Sequence, residues 1–266
     1  MIGSIIGDIV GSRFEFNNHK SKKFELFSPE CTFTDDTVMT CAIAEALLTK
    51  GENETMQQAA IRTMHDIGKH YPNCGYGYYF YTWILDSLTK PYNSLGNGAG
   101  MRISPVAFAY NDLTEALKTA KAVTEVSHNH PEGIKGALAV TEVIMMAKDK
   151  APFEDIRKMV NEKYYKLNFT CDEIRPTYKH VETCMDSVPQ AIEAFLESIS
   201  FEDTIRTAIS IGGDSDTIAC MAGGMAEAYY DVPDDIRTQA EKYLDSRLLD
   251  IVKRFEMKYQ IINMLK

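Results

Sequence analysis

The sequence predicts an all-α protein, and three observations carry that prediction. Apolar residues recur at helical spacing over most of the chain, polar start signals stand in front of those runs, and strand signals are nearly absent, the best being the short stretch 22–27. No internal repeat, low-complexity tract or linker divides the 266 residues, so one domain over 1–266 with a sizeable core is expected.

The first helix carries a stripe of Ile2, Ile5, Ile6, Ile9 and Val10, while Gly3, Gly7 and Gly11 form a second face. Glycine costs about 1 kcal/mol in a helix interior. Three on one face therefore imply close approach by a neighbouring helix or a ligand, and a central position for this helix. A second helix is expected over 38–49, closed by Gly51, and a third over 56–70, where Asn53 and Thr55 supply the polar start. Leu113, Ala116, Leu117, Ala120 and Val123 share one face of a helix over 113–126, and 133–148 is apolar enough to be buried. Phe153, Ile156, Val160, Tyr164 and Leu167 mark another helix, and Thr170 with Glu173 has the form of a capping box. Helices over 189–198 and 203–210 follow, and Ile218, Met221, Ala222, Met225, Ala226 and Tyr229 make the last clear stripe.

Composition excludes several classes. With 45% hydrophobic and 25% charged residues the chain reads as an ordinary globular protein, and a net charge of -10 without a basic run argues against nucleic-acid binding. The six cysteines form no CxxC pair, as suits reduced, mostly buried thiols rather than a disulfide framework or zinc site. The opening segment lacks a basic n-region and carries Asp8 in its apolar run, so it is not a signal peptide, and no stretch is long enough to span a bilayer. A cytoplasmic protein without membrane attachment is expected.

The chemistry concentrates in two acidic clusters. Thr32-Phe33-Thr34-Asp35-Asp36-Thr37 sets two adjacent acids before an apolar helix, and Gly212-Gly213-Asp214-Ser215-Asp216-Thr217 repeats that design near the other end of the chain. One acid at a helix N-terminus is explained by capping; a second needs solvent or a cation. Carboxylates with a threonine hydroxyl suit magnesium or manganese, and neither cluster offers the histidine or cysteine that zinc prefers. Asp35, Asp36, Asp214, Asp216 and Glu15 would repel strongly if brought together, whereas two divalent cations would nearly neutralise them. Each acid alone is explained equally well as a cap or a solvated charge; both clusters together favour a two-metal site.

Between the clusters lies Gly96-Asn97-Gly98-Ala99-Gly100-Met101-Arg102, whose small residues allow backbone amides to approach phosphates, with Arg102 adding charge; a tight interhelical turn explains it equally well. Ser127-His128-Asn129-His130-Pro131 suggests a substrate contact for His128 and a structural role for His130. The aromatic run 76–83 could stack on a base, although core packing accounts for most of these rings.

These segments, GDIVGSRFEF, TFTDDT, GNGAGMR, SHNHPEG and SIGGDSDTIACMAGGMAEAYY, occur in an order that resembles the ADP-ribosylglycohydrolase family, which includes dinitrogenase reductase-activating glycohydrolases and ADP-ribosyl-acceptor hydrolases. The likeness runs from about Ile2 to Tyr230. It implies a single compact multi-helix orthogonal bundle with a binuclear magnesium or manganese centre. Carried over by motif, Thr34, Asp35, Asp36, Asp214, Asp216 and Thr217 would be metal ligands, with Asp216 bridging. Asn97, Gly98, Ala99 and Met101 would hold ribose and phosphates, His128 would stand near the substrate, and Glu15 or Asp36 would take the proton of the attacking water. Gly100 and Ser127 depart from the family's frequent alanine and threonine without removing a ligand. The partner implied is an ADP-ribosylated protein or small-molecule acceptor. Two other readings fit the acids and the loop: a magnesium-dependent phosphohydrolase acting on a nucleotide, and an ADP-ribose-binding module without turnover.

Overall fold

The computed structural model describes residues 1–264, with side chains to 259; residues 265–266, the end of the expected domain, lie outside the described residues. Its helices are α1 (Ile2–Gly11), α2 (Asp35–Thr49), α3 (Met56–His70), α4 (Tyr78–Leu85), α5 (Gly98–Met101), α6 (Ser104–Ala109), α7 (Leu113–Thr124), α8 (Pro131–Lys148), α9 (Phe153–Lys163), α10 (Cys171–Ile174), α11 (Cys184–Leu196), α12 (Phe201–Ile211), α13 (Ser215–Tyr230), α14 (Asp234–Ala240) and α15 (Ser246–Met264). No strand forms among the described residues.

The glycine face of α1 explains the centre of the fold. Every residue of α1 is buried, and its glycines lie against α13: a β-carbon on Gly11 would stand 2.5 Å from Cα of Asp216, and Gly3 and Gly7 meet the backbone of Gly223 and Ala219 as closely. The helix cost of glycine is thus offset by the packing of two backbones at contact distance. Helices α8, α11 and α12 cover the other sides of α13, while α2 joins α1 to α3 and α15. The result is that the C-terminal end of α1 and the N-terminal end of α13 meet at one place.

Several elements depart from expectation in instructive ways. Helix α2 begins at Asp35 rather than at residue 38, because Thr34 caps it by accepting from the Asp36 amide at 3.3 Å, so both acids lie in the first turn. Helix α11 begins at Cys184 and contains Pro189. The Cys184 amide bonds to the Leu95 carbonyl at 3.0 Å, a tertiary anchor that fixes the helix start five residues before the proline. Helix α9 ends at Lys163, leaving Tyr164 and Leu167 outside, since the Asn161 side chain accepts the Leu167 amide at 2.8 Å and turns the chain. Segment 22–27 is no strand: Arg206 donates to the carbonyls of Lys22 and Phe24, satisfying them without a ladder.

The aromatic run also divides differently. Phe80 and Trp83 are buried as expected, yet Tyr78 and Tyr79 are 78% and 71% exposed. All six cysteines are free, five of them buried. No helix of the described residues is long and apolar enough to cross a membrane.

Candidate metal and substrate site

The three helix ends α1, α2 and α13 bring the two acidic clusters together. Thr217 Oγ1 donates to Asp36 Oδ2 at 3.1 Å, a direct bond between the motifs. Asp8, Asp36 and Asp216 offer oxygens within 4.8 Å of one another, and so do Glu15, Asp214 and Asp216. The two triads share Asp216.

Asp8 is the residue that sequence reasoning overlooked. It is wholly buried and accepts from the amides of Thr34 and Thr37 at 2.9 and 3.0 Å, from Thr34 Oγ1 at 2.7 Å and from the Thr37 hydroxyl. With these four donors occupying it, Asp8 serves to hold the first acidic motif rather than to face the cavity. The available signal was an acid inside an otherwise apolar helix, which must be buried and must find donors there.

A second hidden support fixes the other cluster. Gly212 and Gly213 take φ of +74° and +78°, a region that glycine enters without steric cost. Asn18 grips Gly213 at both ends, donating to its carbonyl at 3.0 Å and accepting its amide at 2.8 Å. Its amide also donates to the carbonyls of Phe14 and Glu15, so one side chain ties the Glu15 segment to the turn that aims Asp214 and Asp216.

The electrostatics ask for positive charge. Burial first, and then the surrounding carboxylates, push Asp35, Asp36 and Asp216 well above the usual carboxylate range. Burial also raises Asp8 and Asp214, although the Asn97 amide, donating to Asp214 Oδ2 at 2.6 Å, opposes the shift there. Burial and the charge of Asp214 push the Glu15 carboxyl up to about 7. Asp36 Oδ1 and Asp216 Oδ1 are buried with no hydrogen-bond partner. Unpartnered buried carboxylate oxygens in an all-oxygen donor set fit hard divalent cations.

A cavity of about 390 Å³ opens onto these acids. Glu15, Asp35, Asp36, Asp214, Asp216 and Thr217 line it on one side. Asn97, Gly98, Met101 and His128 line another, with Tyr78, Tyr79 and Phe80 forming an aromatic wall. Two expected residues stand back from it. Ala99 is buried in the core, its amide bonded to the Gly96 carbonyl at 3.3 Å, and Thr34 is committed to Asp8. Gly100 packs on α13, where a β-carbon would come within 2.8 Å of the Met221 sulfur. His130 caps α8 by accepting the Glu132 amide at 3.1 Å, the structural role expected of it.

An all-helical fold with a buried, oxygen-only acidic centre beneath a polar and aromatic cleft defines a class of protein built to hold hard divalent cations beside a ligand. The ADP-ribosylglycohydrolase family profile matches residues 1–261, and the chain belongs to that family of glycosidic-bond hydrolases. It is 24% identical to the human ADP-ribosylhydrolase ARH3, over 94% of this chain and 90% of that protein. It is 26% identical to the ADP-ribosylarginine hydrolase Tri1 of Pseudomonas putida (strain GB-1), over 87% of this chain and 70% of that protein. A solved chain described as an ADP-ribosylglycohydrolase-related protein complex superposes with a TM-score of 0.70 at 20% identity, covering 97% of this chain and 95% of its own. That last likeness concerns the fold.

Proposed function

We propose that this protein releases ADP-ribose from an ADP-ribosylated protein or small-molecule acceptor by water attack at the anomeric ribose carbon, and that the unit responsible is one domain over 1–266. The observation that carries the reading is the meeting of Glu15, Asp214 and Asp216, whose oxygens lie within 4.8 Å of one another, with Asp36, where Oδ1 of Asp36 and Oδ1 of Asp216 are buried without a hydrogen-bond partner. Asp35, Asp36, Asp214, Asp216 and Thr217 would hold two divalent cations, magnesium or manganese, while Thr34, expected as a ligand, keeps its hydroxyl on Asp8 and caps the helix that carries Asp35 and Asp36. When bound, those cations supply positive charge that orients the ribose hydroxyls and the attacking water.

The chain's own groups supply the rest. Glu15, half-buried at the cavity edge, has its carboxyl near neutrality in the metal-free chain, suited to taking a proton from water; Asp36 is the second candidate base. Asn97, anchored on Asp214, holds the ribose next to these acids, and Gly98 and Met101 accommodate the phosphates where no larger side chain stands. Ala99 contributes by keeping that loop against the core. His128 donates or accepts at the ligand's oxygen atoms. The unpaired state of the six cysteines supports a cytoplasmic location.

The test is a panel of arginine-linked, serine-linked and small-molecule ADP-ribose conjugates assayed with magnesium and with manganese. Free ADP-ribose is the expected product, and Asp36→Ala combined with Asp216→Ala should reduce its release by at least about 10³-fold. Undiminished release by the double variant overturns the proposal. Inorganic phosphate from a nucleotide would indicate a phosphohydrolase, and tight ADP-ribose binding without turnover in either metal would indicate a binding module.

A further inference from the structure

Among the described residues, Arg102 is the largest polar side chain buried near the cavity without an ionic partner. It is 0% exposed, its guanidinium lies over the Phe80 ring at 5.3 Å, and its Nε and Nη1 find no hydrogen-bond partner. Keeping such a cation out of water is costly, and its place here calls for a role that a neutral side chain would not fill. Its one strong contact is specific: Nη2 donates to Ser127 Oγ at 2.8 Å and faces His128 Nδ1 at 3.5 Å. Ser127 Oγ in turn stands 2.9 Å from the same Nδ1.

The donor inventory leaves one consistent arrangement. A guanidinium nitrogen can only donate, so Ser127 Oγ accepts from Arg102 with one lone pair; a hydrogen on His128 Nδ1 would point at the hydrogens of Arg102 Nη2 and leave the Ser127 hydroxyl hydrogen without an acceptor among the described residues, so that hydrogen is directed to Nδ1. Nδ1 then faces donors from two side chains and must present its lone pair. The ring's proton is left on Nε2, which faces the ligand loop: β-carbons built on Gly98 and Gly96 would stand 3.1 and 3.6 Å from it. Phe80 and Tyr92 flank the ring edge-on, with centroids 6.1 and 6.0 Å away, and restrict its rotation.

We propose that Arg102 and Ser127 are positioning residues that lock His128 as the neutral tautomer with its hydrogen on Nε2, making it a fixed hydrogen-bond donor to a phosphate or ribose oxygen of the ligand. Burial, and next the charge of Arg102, hold the imidazole well below its usual range, in keeping with a ring that donates as a neutral group. The tautomer assignment stands on the geometry alone, while its effect on substrate rests on the function proposed above. The buried cation thereby has a use: it decides which face of one imidazole carries the proton.

The experiment is nitrogen-15 NMR of the histidine rings in the whole protein at neutral pH, with the His128 signals assigned by their loss in His128→Asn. The wild type should show Nδ1 unprotonated and Nε2 protonated. Ser127→Thr, which keeps the hydroxyl, should preserve that signature; Ser127→Ala and Arg102→Met should give mixed tautomers or a protonated ring. ADP-ribose affinity should fall about tenfold in Ser127→Ala and recover in Ser127→Thr. With a conjugate that is turned over, the loss should appear in KM more than in kcat. A wild-type ring protonated on Nδ1, or an unchanged ring signature in Ser127→Ala, overturns the proposal whether or not the variants at Arg102 fold. If ADP-ribose proves not to be the ligand, the ring spectra still decide the tautomer, so failure of the relay and failure of the proposed function are separable.

Discussion

Asp8 shows how much of the site depends on a residue that does not line the cavity. Its carboxylate gathers four donors from Thr34 and Thr37 and so sets the direction in which Asp35 and Asp36 leave the helix start. In Asp8→Asn the amide nitrogen meets hydrogens instead of offering lone pairs, leaving buried donors unpaired at a cost of about 1–3 kcal/mol each. The variant should melt earlier and bind manganese about 10–100-fold more weakly, as measured by calorimetry. Wild-type affinity for manganese in a folded Asp8→Asn would show that the motif holds its own shape.

At the scale of the element, the α1–α13 pair is both core and site. A methyl on Gly11 would come within 2.8 Å of the Asp216 amide nitrogen and 2.9 Å of the Ser215 carbonyl oxygen, backbone atoms that cannot turn aside. Gly11→Ala should therefore destabilise by about 1–3 kcal/mol and, by pushing the start of α13 away, should reduce activity as well. Gly51→Ala is the matched control, because its nearest neighbour would lie at 3.8 Å. Chemical denaturation of the two variants checks the first effect and turnover the second. Equal stability of both would mean that α1 and α13 slide apart freely.

The whole molecule carries its acids at an energetic cost that pH should reveal. The carboxyls of Asp35, Asp36, Asp214, Asp216 and Glu15 all titrate higher in the folded chain than in the unfolded one. The folded state then binds more protons, so its stability is complete below the ordinary carboxylate range and declines as pH rises through the folded values. Metal-free protein should melt progressively earlier from about pH 4 to beyond 7, the value to which Glu15 is pushed. Saturating manganese should flatten or reverse that slope. A metal-free melting profile that is level across this range would show the acids to be well solvated.

Much of this was legible in the sequence because helices are local. Periodic apolar stripes and caps such as Thr55 and Thr170 depend on residues within a turn or two; Thr170 forms the expected capping box, and Thr55, expected as a polar start, forms one with Gln58. The two acidic motifs were legible for a related reason, since two acids at one helix start are costly enough to need an explanation. What the sequence could not show was which residues stand behind them. Asp8, Asn18 and the Arg102–Ser127–His128 contact act across the fold, and their partners are decided by which helix ends meet. The exposure of Tyr78 and Tyr79 has the same origin, because an aromatic residue packs only where another element covers it. By itself the sequence determined most of the helices up to α13, the acidic motifs and the family they resemble, but gave no expectation of α4, α5, α6, α14 or α15. The tertiary structure alone decided which acids line the cavity and which stand behind them, because burial and hydrogen-bond partners arise only when segments far apart in the chain are packed together.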